Sequence, residues 1–432
     1  MIHRTKPITV LVGLILAISA CGAPAQSGGG GTTEKLTIAA VQGVEDAGLK
    51  AIAPMYTEKT GIEIEIVESP YADLYTKLVN TFQANDATYD LVMMDDPWMP
   101  KFGTDSSLAD LGALGIERDD DIAEVVWDVG TWPPPRGPVP PSEVDKAAQL
   151  LGVTIVGNVE MFMWRTDLSA DGPATYDDVL ALAEDNNSAD LAGYIIRGKA
   201  TNPVVADFLP ILWSFGGDVF DEDWNVVFDN DASLAAVKFL VEDLAAVAQA
   251  DPASTDAADR DRIMAIGQGF QSSVWPGEIN TAVLGEGSTV VGNVGFQPIP
   301  AGPSGQGVGM MGNWMLGIPK ASTNQQAAAD FIKWMLQADT QKTYAENGGI
   351  PSRTSVLQDG SLTEANPYFP VLADALQAPP NWRPRTDQWN AVESILGTHL
   401  NAALAGQETA EEVVSGASDE IRTLMTDAGY GG

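Results

Sequence analysis

The alternation of strand and helix patterns between residues 36 and 94 constrains the fold of this chain more than any other feature of its sequence. The predicted elements are, in chain order, a strand at 36–41, a helix at 44–59, a strand at 62–66, a helix at 70–82 and a strand at 90–94. In the second strand Ile62, Ile64 and Ile66 alternate with glutamates, which is the pattern of a half-buried strand. This β-α-β-α-β order predicts an α/β fold built on a parallel sheet with right-handed crossovers.

The remainder of the chain contains further patterns of both kinds. Strands are predicted at 153–164 and 313–318, and helices at 325–338, 387–404 and 410–428. The chain has 432 residues, 45% of them apolar, which is too long for one ordinary core and enough for two folded lobes. A Pro-rich stretch at 132–141 suits neither a helix nor a central strand, so we expect a surface loop there, with a place at a cleft rim or a docking face as the alternative.

The charge and the rare residue types exclude several classes of function. The chain carries 23 basic and 59 acidic side chains, for a formal net charge of −36, so nucleic acid and anionic lipid are poor partners. Cys21 is the only cysteine, which excludes an intrachain disulfide and a thiolate metal cluster. His3 and His399 are the only histidines and cannot form a multi-histidine site. We therefore expect no metal and no cofactor.

The first 21 residues have the pattern of an export signal. Arg4 and Lys6 precede an uncharged, mostly apolar run at 8–20, which is too short for a comfortable membrane span and suits a signal-peptide core. The run ends Ile18-Ser19-Ala20-Cys21, which resembles the lipobox of bacterial lipoproteins. We expect residues 1–20 to be removed, Cys21 to carry the lipid, and 21–34 to form a flexible tether. An ordinary signal peptide with a chance cysteine is the alternative.

Six motifs in the body of the chain resemble those of a known family. They are Tyr89-Asp90-Leu91-Val92, Leu108-Ala109-Asp110-Leu111, Leu316-Gly317-Ile318-Pro319-Lys320, Ala329-Asp330-Phe331-Ile332-Lys333-Trp334, Gly348-Gly349-Ile350-Pro351-Ser352-Arg353, and the segment 401–412. In this order, and together with the lipobox, they resemble the extracellular solute-binding proteins of ABC importers, in the maltose-binding-protein-like family 1. The resemblance covers most of the chain that follows the predicted signal.

The resemblance implies a two-lobe, type II periplasmic-binding-protein fold with a hinge and a ligand cleft between the lobes. The first lobe would comprise 35–150 and 303–348, and the second 151–302 and 349–432. Such a protein is not an enzyme. It would be a monomer, lipid-anchored in the bacterial cell envelope outside the cytoplasm, that binds a sugar, oligosaccharide or polyol. It would deliver this small neutral solute to the permease subunits of the importer.

The residues that follow the strand at 90–94 are the first candidates for the binding site. Asp95, Asp96 and Trp98 come directly after a buried strand, and ligands of α/β sheets bind beyond the carboxyl ends of the strands. Carboxylates suit the hydroxyls of a sugar, and an indole suits its C–H face. The alternative is a helix N-cap made by one of the aspartates, with Trp98 packed in the core.

The resemblance adds six further candidates. They are Asn158 and Glu160 where the chain enters the second lobe, Asn313 and Trp314 at the start of the returning strand, and the aromatic residues Trp275 and Trp389. For Asn158 and Glu160 the alternative is a polar position on an edge strand. For Trp389 it is a core stripe, because Trp389, Val392, Leu396 and Leu400 share one helical face.

Two other functions remain open at this stage. A surface glycoside hydrolase needs only two suitably placed carboxylates, and the chain has many acidic residues. A binding protein for a cationic solute such as a polyamine could use Asp95, Asp96 and Trp98 as an acidic aromatic cage. The order of the family motifs argues against the first, and the Asn and Gly candidates favour neutral hydroxyls over the second.

Overall fold

The computed structural model describes residues 33–377 and 380–430. Its strands are β1 (Lys35–Val41), β2 (Glu63–Ser69), β3 (Leu91–Asp95), β4 (Thr131–Trp132), β5 (Gln149–Leu150), β6 (Val153–Val156), β7 (Met161–Arg165), β8 (Gln271–Val274), β9 (Val294–Gln297) and β10 (Trp314–Gly317). None of the helices in the described ranges is long and apolar enough to span a membrane.

The helices alternate with these strands along the chain. They are α1 (Ala47–Thr60), α2 (Tyr71–Gln83), α3 (Met99–Thr104), α4 (Glu124–Asp128), α5 (Tyr176–Asp185), α6 (Asn202–Ser214), α7 (Asp231–Lys238), α8 (Ala257–Ala265), α9 (Pro276–Glu278), α10 (Gln325–Met335), α11 (Ala338–Glu346), α12 (Thr354–Leu357), α13 (Gly360–Thr363), α14 (Phe369–Gln377), α15 (Trp389–Leu404) and α16 (Ala410–Asp427). The helices predicted at 325–338, 387–404 and 410–428 are confirmed as α10, α15 and α16.

A five-stranded sheet forms the first layer of the fold, in the order β2-β1-β3-β10-β6. Strand β1 runs parallel to both β2 and β3, which confirms the parallel arrangement predicted from the alternating pattern. Strand β3 is buried along its whole length because β1 and β10 flank it. Strand β10 is antiparallel to β3 and pairs Trp314 with Asp95, so the start of β10 lies beside the carboxyl end of β3.

A second, three-stranded antiparallel sheet has the order β8-β7-β9. Against it and the helices α6, α7, α15 and α16 lies a separate cluster of buried apolar side chains, which includes Phe208, Trp389 and Leu396. The larger cluster surrounds the five-stranded sheet. Two sheets, each with its own set of packed helices, give the α/β two-lobe architecture expected from the sequence.

The segment predicted as one strand at 153–164 is two strands in two different sheets. Strand β6 pairs with β10 in the five-stranded sheet, and β7 pairs with β8 and β9 in the smaller one. Between them, Gly157 passes so close to the chain at Pro351 that an added Cβ would lie 2.8 Å from its carbonyl oxygen. Periodicity did not predict the break, because the residues on both sides of it are apolar and buried.

The sheet pairing bears on the lobe limits implied by the resemblance. Residues from 151 onward are expected in the second lobe, yet β6 belongs to the five-stranded sheet. Ile350, Leu357 and Phe369, also expected there, lie in the larger buried cluster. We therefore propose that the chain first crosses between the lobes at 157–160, and that the last crossing follows residue 380.

Candidate functional site

A cavity of about 480 Å³ lies between the two sheets. Residues from the first sheet's side of the cavity are Glu45, Tyr71, Asp95, Gly312 and Trp314; those from the other side are Arg197, Lys199, Thr201, Asn202, Asp256, Trp275 and Glu278; those from the C-terminal part are Arg383, Asn390, Glu393 and Ser394. Asn158 lines it from the crossing segment. Glu45 follows β1 and Asp95 ends β3, so the cavity opens at the carboxyl edge of the parallel strands, where ligands of such sheets bind.

Asp95 is both a helix cap and a cavity residue, so the two interpretations of this residue are compatible. Its Oδ1 accepts a hydrogen bond from the backbone N–H of Asp96 over 2.9 Å and caps the 3₁₀ turn 96–98. Its Oδ2 accepts from the Tyr71 hydroxyl over 2.9 Å and from Arg383 Nη1 over 3.3 Å. The carboxylate is thereby held in one orientation at the cavity wall.

Asp96 and Trp98 lie behind this wall and do not line the cavity. Asp96 is 1% exposed and accepts from Arg383 Nη1 over 3.1 Å. Burial raises the pKa of the Asp96 carboxyl above its ordinary value, and the positive charge of Arg383 offsets only part of that rise. Trp98 is 1% exposed and packs against Tyr71, with ring centroids 5.0 Å apart, and against Trp314 at 5.6 Å. Trp98 therefore supports two residues that do reach the cavity.

Asn158 is the polar candidate whose geometry best suits a ligand contact. It lines the cavity, is 3% exposed, and its Oδ1 has no hydrogen-bond partner within the described part of the chain. Glu160 and Asn313 are also buried but do not line the cavity. Burial and the nearby Asp207 raise the pKa of Glu160 well above its ordinary value. A buried, unpaired oxygen in a cavity wall is a place for a ligand donor.

Of the three remaining aromatic candidates, two line the cavity and one is buried in the core. Trp314, at the start of β10, and Trp275, directly after β8, both line the cavity. Trp275 packs on Gly312 so closely that an added Cβ there would lie 2.3 Å from the indole. Trp389 is fully buried in the second cluster, as the core-stripe alternative supposes, and its Nε1 donates to Glu393 over 3.3 Å. Through that bond it holds a carboxyl that lines the cavity.

A network of charged side chains beside the cavity was not predicted from the sequence. Arg260 is fully buried and forms ion pairs with Glu278, with Asp261 at 3.1 Å and with Asp207 at 3.4 Å. Arg197 pairs with Asp207 at 2.9 Å. These residues are spread over four segments of the chain, and no spacing in the sequence links them.

Arg383 was also missed, although it touches both predicted aspartates. It is separated from Asp95 by 288 positions, so its only sequence signal is the run Trp382-Arg383-Pro384-Arg385. The Pro-rich stretch reaches the same run, because Arg136 lies 4.0 Å above the Trp382 ring and donates to the Pro380 carbonyl over 3.2 Å. No residue of 132–141 is among those that line the cavity.

The cavity thus combines fixed carboxylates, amides and two indole side chains. Such a set can bind a solute that presents hydroxyl donors and a flat C–H face. His399 lies on α15, with Nδ1 2.8 Å from Glu408, and does not line the cavity. Within the described ranges, no group of three or more His, Cys, Asp and Glu side chains is placed to hold a metal ion.

Comparison with known proteins gives a consistent result. Residues 40–342 match the sequence profile described as bacterial extracellular solute-binding protein. A relative from Sinorhizobium fredii, named as a probable amino-acid ABC transporter periplasmic-binding protein, y4oP, is 27% identical over 409 residues, which cover 92% of this chain and 90% of the relative.

Two solved structures are similar over nearly the same share of the chain. The maltose-bound MalE3 of T. maritima has a TM-score of 0.76 and 26% identity, with 90% of this chain and 99% of that chain covered. An ABC transporter solute-binding protein of Agrobacterium radiobacter K84, in complex with ribitol, has a TM-score of 0.80 and 22% identity, with 90% and 98% covered. The second likeness concerns the fold alone, and the fold is the two-lobe periplasmic-binding-protein type.

Proposed function

Because this chain belongs to the bacterial extracellular solute-binding proteins, we propose that it captures a sugar, an oligosaccharide or a polyol in the cavity between its lobes and delivers it to the permease of an ABC importer. The observation that carries the proposal is the set of groups around the cavity. Asp95 and Asn158 offer acceptors for hydroxyls, while Trp275 and Trp314 offer indole side chains to the C–H face of a sugar.

The pairing of the cavity's cations favours a neutral solute. Arg197 pairs with Asp207, Lys199 with Asp256 at 2.7 Å, and Arg383 with Asp95 and Asp96. Each of these three cations is matched by a carboxylate of the protein, so an amino acid's own carboxylate would have to compete for it. The similar structure named for maltose supports the same choice of ligand, and the name of the S. fredii relative makes amino acids the rival class.

A thermal-shift screen tests this function. Purified protein without residues 1–20 is incubated with maltose, other oligosaccharides, ribitol and other polyols, and separately with amino acids and polyamines. A solute of the first group at 100 times its Kd is expected to stabilise the folded protein by about 2.7 kcal/mol. Calorimetry on the same solute then gives the affinity.

The Asp95→Asn variant tests whether the solute binds in this cavity. Its control is Asp105→Asn, at an exposed position of the same lobe. Losing a charged hydrogen bond to the ligand should weaken binding by roughly tenfold to a hundredfold in Asp95→Asn only. Stabilisation by amino acids or polyamines alone would contradict the proposed solute class. Consumption of the bound sugar by purified protein at a catalytic rate would contradict a binding function.

We also propose that the mature protein is anchored to the membrane through a lipid on Cys21, which lies outside the described residues. The family is extracellular, and the lipobox before Cys21 supports the anchor. In cells, Cys21→Ala should release the protein from the membrane fraction or leave an unprocessed precursor, because the lipid acceptor is lost. Fractionation and intact-mass measurement check this, with Ser27→Ala as the control. Unchanged processing and membrane association of Cys21→Ala would exclude the anchor.

A further inference from the structure

Two carboxylates from opposite lobes converge at one corner of the cavity. Glu45 lies in the loop between β1 and α1, and Glu278 ends α9, which follows β8 of the smaller sheet. Both line the cavity. The loop that carries Glu45 approaches α9 closely, because an added Cβ on Gly277 would lie 3.6 Å from Cγ2 of Val44. Asn158, with its unpaired Oδ1, lies at the same corner, 3.9 Å from that position.

The charges around Glu45 are mostly negative. Among the described residues, no cation forms an ion pair with its carboxylate, and the groups that act on it most are Glu278, Asp95 and Asp46. The cations nearby are engaged elsewhere, since Lys50 pairs with Asp46, Arg383 with Asp95 and Asp96, and Arg260 with Glu278, Asp261 and Asp207. The remaining titratable neighbour, Tyr344, is a phenol and carries no charge near neutral pH.

In these surroundings the Glu45 carboxylate binds a proton more tightly than a carboxylate in water does. Burial and the charge of Glu278 raise the pKa of the Glu45 carboxyl from 4.5 to about 7. If the cleft opens by a hinge motion, we expect Glu278 to move away from Glu45 and water to reach more of the side chain, so that the pKa of Glu45 falls back toward its ordinary value. The open and closed arrangements of the lobes would then differ in their affinity for a proton as well as for the solute.

On the premise of the proposed function, we propose that Glu45 takes up one proton from solvent when the lobes close on the solute, and that solute capture is thereby coupled to proton uptake. The neutral carboxyl removes the repulsion between Glu45 and Glu278 across the closed cleft. It also adds a second hydrogen-bond donor to this corner of the cavity, beside the amide nitrogen of Asn158 and the acceptor oxygens of Glu278 and Asp95.

The coupling predicts how the Kd for maltose or ribitol, whichever binds, depends on pH. A proton bound more tightly in the closed state makes closure less favourable as pH rises from about 4.5 to about 7, with no further change above that range. Between pH 5.5 and pH 7.5 the Kd should rise at least about tenfold. Calorimetry in two buffers of different ionisation enthalpy should detect proton uptake on binding at pH 6.

Glu45→Gln is the decisive variant, because glutamine has the shape of a protonated glutamate and cannot ionise. Its Kd should stay nearly constant from pH 5.5 to pH 7.5 and should be lower than that of the unmodified protein at pH 7.5. Glu117→Gln, at an exposed glutamate of the first lobe, should keep the original pH dependence. Thermal unfolding verifies that both variants are folded.

The outcomes separate this inference from the proposed function. Binding with a Kd that does not change with pH, or a Glu45→Gln variant that keeps the full pH dependence, would overturn the coupling while leaving solute capture intact. A protein that binds none of the sugars and polyols at either pH would overturn the proposed function, and the coupling with it. A flat pH profile in Glu45→Gln alone would establish Glu45 as the coupled group.

Discussion

Replacing Arg383 by Met is expected to lower the free energy of unfolding by about 3–5 kcal/mol. Arg383 is 4% exposed and its Nη1 donates to both Asp95 and Asp96, so its removal leaves two buried carboxylates without their cation. Methionine fills much of the volume, which confines the change to the charge and the hydrogen bonds. Urea unfolding at pH 7.5, followed by tryptophan fluorescence, measures the difference.

The matched control is Arg422→Met, because Arg422 pairs with Asp229 and Asp419 at the exposed surface. An exposed pair contributes roughly 0–1 kcal/mol, so this variant should unfold almost like the original protein. The deficit of Arg383→Met, meaning its loss in free energy of unfolding relative to the original protein, should also depend on pH. A buried acid whose folded pKa is raised destabilises the fold as pH rises above its unfolded value, which is 3.8 for Asp96. The deficit should therefore be smaller at pH 5 than at pH 8, and equal deficits at both would contradict the ion-pair explanation.

Replacing Trp98 by Ala is expected to cost about 3–5 kcal/mol of stability, since it empties a large buried site. Trp98 packs within an aromatic cluster that includes Tyr71, Tyr75 at 5.3 Å and Trp314 at 5.6 Å between ring centroids. Trp98 does not line the cavity, so solute binding should weaken only to the extent that its neighbours Tyr71 and Trp314, which do, change position. Urea unfolding and calorimetry on the same preparations separate the two effects.

Trp98→Phe is the control, because a phenyl ring keeps most of the apolar contact and should recover part of the lost stability. This experiment decides between the two interpretations of Trp98 that the sequence left open. A Trp98→Ala protein with unchanged unfolding and abolished solute binding would make Trp98 a ligand-binding residue rather than a support for the cavity wall.

The candidate site was predicted in part because one part of its geometry follows from the local order of strands and helices. Parallel strands separated by helices must present their carboxyl ends at one edge, so residues after β3 were expected at a cleft, and Asp95 does line the cavity. The same reasoning could not distinguish Asp95 from Asp96 and Trp98. Which of three consecutive residues faces the cavity depends on the 3₁₀ turn that Asp95 caps.

The sequence by itself determined the α/β class, the order of the strands and helices around the parallel sheet, and the family, because these depend on periodicities and motifs within a few tens of residues. The tertiary structure alone decided which polar groups meet. Arg383 reaches Asp95 across 288 positions, and Glu45 faces Glu278 from another lobe. At the break between β6 and β7, Gly157 likewise lies close to Pro351, which is far from it in the sequence. Charge pairing and close approach are set by distances in space, and a single sequence contains no periodic signal for contacts between segments so far apart along the chain.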